Sequence, residues 1–366
     1  MNKRSILFAL IGGLVAGLCS IPPASERFIA GHMIFMLLST LPIFLAGLSG
    51  GVRSSILASL LATSISTSLN SINGLFFGLT LAFPAALLGG VAVMPINFWR
   101  QPGLLFSKSV RMSKMRTLFG KFSGDYIEVP SGSLLLISIL TIGWTVLILG
   151  SFLMFHGKAN PELELATLLR NALAETILIG SPESDQNLFD WVIKLLARFP
   201  SLFVLSWMIC LTLNGILAQG LLMRFNYNLR TSPDIGNIAL PGWFSVIGLV
   251  LLLVAVGSES EKLQIWLDDY LPKSVADPIS AIIFYHGGLA QFPWVGYIAR
   301  NLLLIQMLGF FFAGMGVMHY LSRKRPYRNL ILSVYYTLAL LVPWVMLVTN
   351  VIGFLEPWAK MRRRLA

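Results

Sequence analysis

Gly47-Leu48-Ser49-Gly50-Gly51 spells the nucleophile motif G-x-S-x-G. In hydrolases that motif sits on a strained strand-to-helix turn, beside backbone amides that hold an oxyanion and a histidine that takes the serine proton. His286-Gly287-Gly288 looks like part of an oxyanion loop. The surroundings fit this chemistry poorly. Ser49 falls in the turn between two apolar runs, and His286 lies in a segment expected on the opposite side of a bilayer. Only His32 could approach the serine. An intramembrane serine hydrolase is therefore a remote alternative, and the chain is expected not to be an enzyme.

Other residue types allow milder chemistry. Every Asp and Glu falls outside the apolar runs, so a carboxylate proton relay of the pump type is not expected. His32 and His319 lie near run ends, and Arg53 and Arg300 at run starts. Neutral polar residues do sit inside the runs: Asn214 and Gln219 in the sixth, Asn301 and Gln306 in the eighth, Asn350 in the ninth. With Trp207 they are candidates for lining a pocket for a neutral solute. Their alternative role is hydrogen bonding between helices. No Cys, His and carboxylate cluster has metal-ligand spacing, and neither a metal nor a cofactor is expected. Cys19 and Cys210 both lie in apolar runs, so no disulfide framework is implied.

The elements that must position these residues are set by composition. The 366 residues are 56% hydrophobic and 12% charged, with mean hydropathy +0.76. Soluble domains carry roughly twice that charge. Apolar windows fall at 5–21, 28–48, 52–69, 74–98, 134–155, 202–223, 235–257, 298–320 and 330–352. Each is near the length of about 20 residues that a membrane helix needs. The third is rich in hydroxyls (Ser54, Ser55, Ser59, Thr63, Ser64, Ser66, Thr67 and Ser68), which suits a position inside a bundle.

Charge sets the orientation. The net charge of +11 is spread over the segments between the runs rather than gathered on one face, which argues against nucleic acid. With the N-terminus in the cytoplasm, Lys3, Arg4, Arg53, Arg224, Arg230, the 99–133 loop and Arg323-Lys324-Arg325 all lie inside. That is the positive-inside pattern. The tail Lys360-Met361-Arg362-Arg363-Arg364 conflicts with it, because nine crossings export that tail. A re-entrant last segment broken near Pro343 would remove the conflict and leave eight crossings; nine stays the working count.

Three longer pieces separate the runs. Residues 99–133 form a basic loop, either a topology signal or a contact for anionic headgroups. Residues 156–200 are acidic; 161–179 and 187–199 have helical apolar spacing, as in helices that lie along a membrane surface. Residues 258–297 form a second external segment, in which 278–288 could dip into the bilayer. Small residues recur every four positions at Ala9/Gly13/Gly17, Gly74/Gly78 and Gly309/Ala313. Ala9, Gly13 and Gly17 form a candidate helix-docking stripe, for a partner membrane protein or for packing within the bundle.

Several stretches together carry a resemblance. They are Leu41-Pro42-Ile43-Phe44-Leu45-Ala46-Gly47-Leu48, Leu240-Pro241-Gly242-Trp243, Asn301-Leu302-Leu303 through Phe311-Phe312-Ala313-Gly314-Met315-Gly316, and Gly353-Phe354-Leu355-Glu356-Pro357-Trp358 followed by Arg362-Arg363. In this order they resemble the YybS-like family of uncharacterised bacterial polytopic membrane proteins. That family is distantly similar to the S-components of energy-coupling-factor vitamin transporters. Those are six-helix proteins that bind a small solute and dock on a separate coupling subunit. The resemblance implies an S-component-like core in the first six helices, with Ala9/Gly13/Gly17 as its docking stripe.

The expected fold is thus all-α: a polytopic transmembrane bundle of about eight to nine membrane helices. A six-helix core over 1–223 would be followed by three further helices over 224–366. The expected setting is the bacterial inner membrane, with the lipid bilayer and a membrane protein as partners, an unidentified small solute and no nucleic acid. The expected role is a transporter-like small-solute-binding component; the alternative is a membrane scaffold or assembly partner without transport activity.

Overall fold

The computed structural model describes residues 3–20, 37–69, 71–95, 122–123, 126–128, 134–135, 137–144, 147, 161–177, 183–232, 234–258 and 293–364. His32, His286, most of 99–133, residues 259–292 and most of the fifth apolar window lie outside them. The chain divides into two compact units. The first comprises Met1–Ser138 and Trp207–Ala239, the second Ile139–Ser206 and Leu240–Ala366.

The first unit is built on helices α1 (Lys3–Cys19), α2 (Leu41–Gly50), α3 (Val52–Leu69), α4 (Ser71–Phe77) and α5 (Phe83–Ala92). Between α4 and α5 the backbone widens into a π-helical stretch, Gly78–Ala82. Pro84, just downstream, has no N–H to return to the turn before it, so the Phe83 amide reaches back five residues to Gly78 instead. Gly51, at φ 76°, ends α2 in a backbone conformation that L side chains avoid. Small residues let the helices close on one another. A Cβ on Gly13 would lie 2.7 Å from the Ala58 carbonyl oxygen, and one on Gly17 would lie 3.0 Å from that of Ala62. Ala9, Ala46 and Ala58 form the centre. The hydroxyl-rich helix does face inward: Ser54 Oγ donates to the Ser5 carbonyl and Ser55 Oγ to the Ala86 carbonyl, each at 2.9 Å.

A small antiparallel sheet, β1 (Val93–Pro95), β2 (Phe122–Ser123) and β3 (Tyr126–Glu128) in the order β1-β3-β2, also belongs to this unit. Val93 pairs with Glu128 and Pro95 with Tyr126. The fold class is all-helical, as expected, with this one small sheet beside the helices among the described residues. Strands of two or three residues are too short to leave an alternating signature in sequence.

The second unit holds α6 (Pro161–Ile177), α7 (Glu183–Arg198), α9 (Gly242–Ser258), α10 (Pro293–Ser322), α11 (Arg328–Leu341), α12 (Pro343–Ala359) and the single turn α13 (Met361–Arg364). Helix α8 (Ser201–Arg224) gives its first six residues to this unit and the rest to the first. The division differs from the expected 1–223 and 224–366. Residues 139–206 group with the later helices because α6 and α7 bond to the start of α10. Arg300 pairs with Glu162 at 2.5 Å, and Tyr297 Oη donates to the Ala197 carbonyl at 2.8 Å. An aromatic stack of Phe244, Phe310, Phe354 and Trp358, with ring centroids 5.2–5.4 Å apart, joins α9, α10 and α12.

Among the described residues, three helices are long and apolar enough to cross a bilayer: Gly74–Ala92, Ser201–Arg224 and Trp294–Ser322. Helices α11 and α12 make a fourth if the pair, bent by 113° at its break, counts as one. Other expected crossings fall on shorter apolar helices, such as α2 and α9, on the serine-rich α3, or outside the described residues.

Candidate functional site

The expected pocket residues divide between the units. Trp207, Asn214 and Gln219 lie on the first-unit part of α8, Asn301 and Gln306 on α10. Trp207 and Gln219 are twelve residues apart on one helix, which separates them by about 18 Å along its axis. One small solute cannot touch both.

Each amide has a packing role. Asn214 Nδ2 donates to the Leu37 carbonyl at 2.6 Å and to Thr40 Oγ1 at 2.7 Å, fixing the entry of α2 against α8. Gln219 Nε2 donates to the Arg230 carbonyl at 2.9 Å and ties down the turn after α8. Asn301 is fully used. Its Oδ1 accepts from Ser201 N at 3.2 Å and Ser201 Oγ at 2.7 Å, while Nδ2 donates to the carbonyls of Tyr297 at 2.9 Å and Arg198 at 3.2 Å. It clamps the α7–α8 junction onto α10. Interhelical bonding therefore accounts for Asn214 and Asn301. The Ser201, Arg198 and Tyr297 side of that clamp was not read from sequence. The only local hint is the Tyr297–Asn301 spacing of one helical turn.

Gln306 differs. It is fully buried, with Nε2 donating to the Phe244 carbonyl of α9. Gly248 opposite leaves it space: a Cβ there would lie 3.3 Å from Nε2 and 3.0 Å from the Phe310 ring. The Gln306 Oε1 has no hydrogen-bond partner among the described residues, and neither do Gln219 Oε1 and Trp207 Nε1. An unmet carbonyl oxygen in an apolar interior costs about 1–3 kcal/mol, so such atoms attract any hydrogen-bond donor that reaches them.

The small-residue stripe is occupied within the chain. Ala9, Gly13 and Gly17 are buried, with Gly13 against Ala58 and Leu61 and Gly17 against Ala62 and Ile65 of α3. Ser49 lies in the last turn of α2, where its Oγ donates to the Leu45 carbonyl at 2.6 Å, as a helical serine does. Ser49→Ala is expected to change thermal stability by less than about 0.5 kcal/mol in a detergent melt, because the hydroxyl bonds only its own helix. No group of three or more His, Cys, Asp or Glu among the described residues could hold a metal ion.

Fold and site together define a class: a predominantly helical protein with three or four candidate membrane-spanning helices among its described residues and neutral amides bonded inside its helix packing. No protein-family model matches the chain, and no curated protein or solved structure matches it.

Proposed function

We propose that the chain is a multi-pass inner-membrane protein of transporter type that holds a small, neutral, hydrogen-bonding solute within its helix bundle. In this reading it crosses the bilayer eight times, with its N-terminus in the cytoplasm, and its early helices form an S-component-like core. The basic residues at the start of α1 and after α8 and α10 support the orientation. The observation that carries the solute is the open Oε1 of the fully buried Gln306. A neutral amide surrounded by Phe244, Phe310 and Gly248 suits a neutral donor and discriminates against ions, which pay heavily for leaving water.

The test is mass spectrometry of small molecules that remain with the protein after purification in mild detergent, for wild type and Gln306→Leu. Wild type is expected to retain a neutral hydrogen-bonding compound, and the variant to retain about tenfold less, in line with one lost hydrogen bond to a buried group. Equal retention by the variant, or a wild type that carries a stoichiometric protein partner and no solute, overturns the proposal. The second result supports a scaffold.

A further inference from the structure

We propose that α11 and α12 form a re-entrant hairpin whose two feet make one basic platform for the phosphate headgroups of anionic lipid. The platform is independent of any solute bound deeper in the bundle.

The hairpin follows from lengths and contacts. Helices α11 and α12 have 14 and 17 residues, so each spans about 21–26 Å and neither crosses a hydrocarbon core of about 30 Å alone. The break falls at Val342, which is extended at φ −120° and precedes Pro343. Tyr335 Oη and Thr349 Oγ1, seven residues to either side of Val342, are 3.0 Å apart, so the two arms face each other. The apex is apolar and uncovered. Leu340 is 85%, Leu341 71% and Trp344 73% exposed, as befits a tip in lipid.

The feet carry the opposite chemistry. Arg323 and Arg325 lie in the turn that closes α10, and Arg328 opens α11. Lys360, in a left-handed turn at φ 50°, ends α12 ahead of Arg362 and Arg364. These segments meet. Arg362 Nη2 donates to the Ala313 carbonyl of α10 at 3.3 Å. Burial lowers the Arg362 pKa from its usual value; Glu356 opposes that shift and the like charge of Arg323 adds to it. The Arg323 guanidinium sits 5.0 Å from the centroid of the Tyr320 ring. Beyond Asp277 the chain has nine Lys and Arg and one acidic side chain, Glu356. That carboxylate is engaged: it accepts from Met361 N at 3.0 Å and pairs with Arg362 Nε at 3.4 Å. Arg325, Arg328, Lys360 and Arg364 are exposed. A loop that serves only as a topology signal needs no second segment. Here Arg362, more than thirty residues later in the chain, bonds back to α10 at Ala313 and feels the charge of Arg323 in the turn that follows α10. A cationic end next to exposed Tyr327, Leu330 and Trp358 matches an anionic headgroup above acyl chains.

Full-length protein would be reconstituted with phosphatidylglycerol and phosphatidylcholine, and lipid retention read by native mass spectrometry. Arg325→Gln/Arg328→Gln/Arg364→Gln is expected to lower the preference for phosphatidylglycerol at least tenfold, since each Lys or Arg near a membrane surface contributes about fivefold. Arg4→Gln/Arg53→Gln/Arg224→Gln, which removes cations from three separate segments, is expected to lower it clearly less, and a melt of both variants checks that each is folded. An unchanged preference in the first variant, or an equal fall in both, overturns the platform. Inorganic phosphate that displaces the lipid at millimolar concentration reassigns the site to free phosphate and overturns the lipid assignment. Single cysteines at 324 and 360, in a background lacking Cys19 and Cys210, should label from the same side of a sealed vesicle. Labelling from opposite sides overturns the hairpin.

Discussion

Gly353→Val is expected to lower the melting temperature of the detergent-solubilised protein by roughly 6–12 °C, the shift expected for about 3 kcal/mol. The reason is backbone contact between α10 and α12. A Cβ on Gly353 would lie 1.8 Å from the Phe310 carbonyl oxygen and 2.7 Å from Gly314 N; one on Gly314 would lie 2.0 Å from the Thr349 carbonyl oxygen. Neither neighbour is a side-chain tip that can swing aside. Both are main-chain atoms in α10 and α12. Helices in lipid gain little from apolar burial against each other, so close packing of this kind carries much of their association. Pushing α12 outward also opens the Phe310–Phe354 contact at 5.4 Å and the Ser245 Oγ bond to the Phe354 carbonyl at 3.0 Å. Gly220, exposed on α8 with nothing within 4 Å of its Cβ position, is the control. Gly220→Ala should leave the melt unchanged or raise it slightly, because alanine is the better helix former. A Gly353→Val protein that melts with wild type would show that α10 and α12 do not approach this closely.

The sequence disclosed these features unevenly, for physical reasons. The inward face of α3 was legible because hydroxyls are costly in lipid and so mark a protected side. The break at Pro343 was legible because proline removes a helical hydrogen bond wherever it falls inside an apolar run. The identity of the facing partner was not. Ala9, Gly13 and Gly17 announce a close approach, but nothing in their spacing says whether α3 of the same chain or another protein fills it. Helices apolar all round carry no stripe that points to a core. The grouping of 139–206 with the later helices was invisible for the same reason; it rests on Asn301 and Arg300 reaching residues about 100 positions or more away. In the candidate site, residue types flagged amides that lie buried, while the sorting of Asn301 as saturated and Gln306 as half-open depends on partners that only the fold supplies.

The Asn301 clamp gives the other large effect. Asn301→Leu keeps the number and branching of side-chain heavy atoms and removes four hydrogen bonds at once, leaving Ser201 Oγ and the Arg198 carbonyl without this partner. The expected loss is about 3 kcal/mol, near the upper end for unmet buried polar groups. Asn301→Asp separates the two halves of the clamp. A carboxylate still accepts from Ser201 N and Oγ but cannot donate to the Tyr297 and Arg198 carbonyls, which then face a negative charge. It should therefore destabilise at least as much as leucine. Ser201→Ala removes one hydroxyl and leaves the Ser201 N–H bond to Oδ1, so its cost should be nearer about 1 kcal/mol. The site of failure is predicted as well. The clamp holds the turn at Arg198-Phe199-Pro200, so trypsin cleavage after Arg198 should accelerate in Asn301→Leu and Asn301→Asp well before global melting, while cleavage after Arg224 keeps its wild-type rate. If Asn301→Leu melts like Ser201→Ala and gains no cleavage at Arg198, the α7–α8 junction is held by apolar packing rather than by this amide.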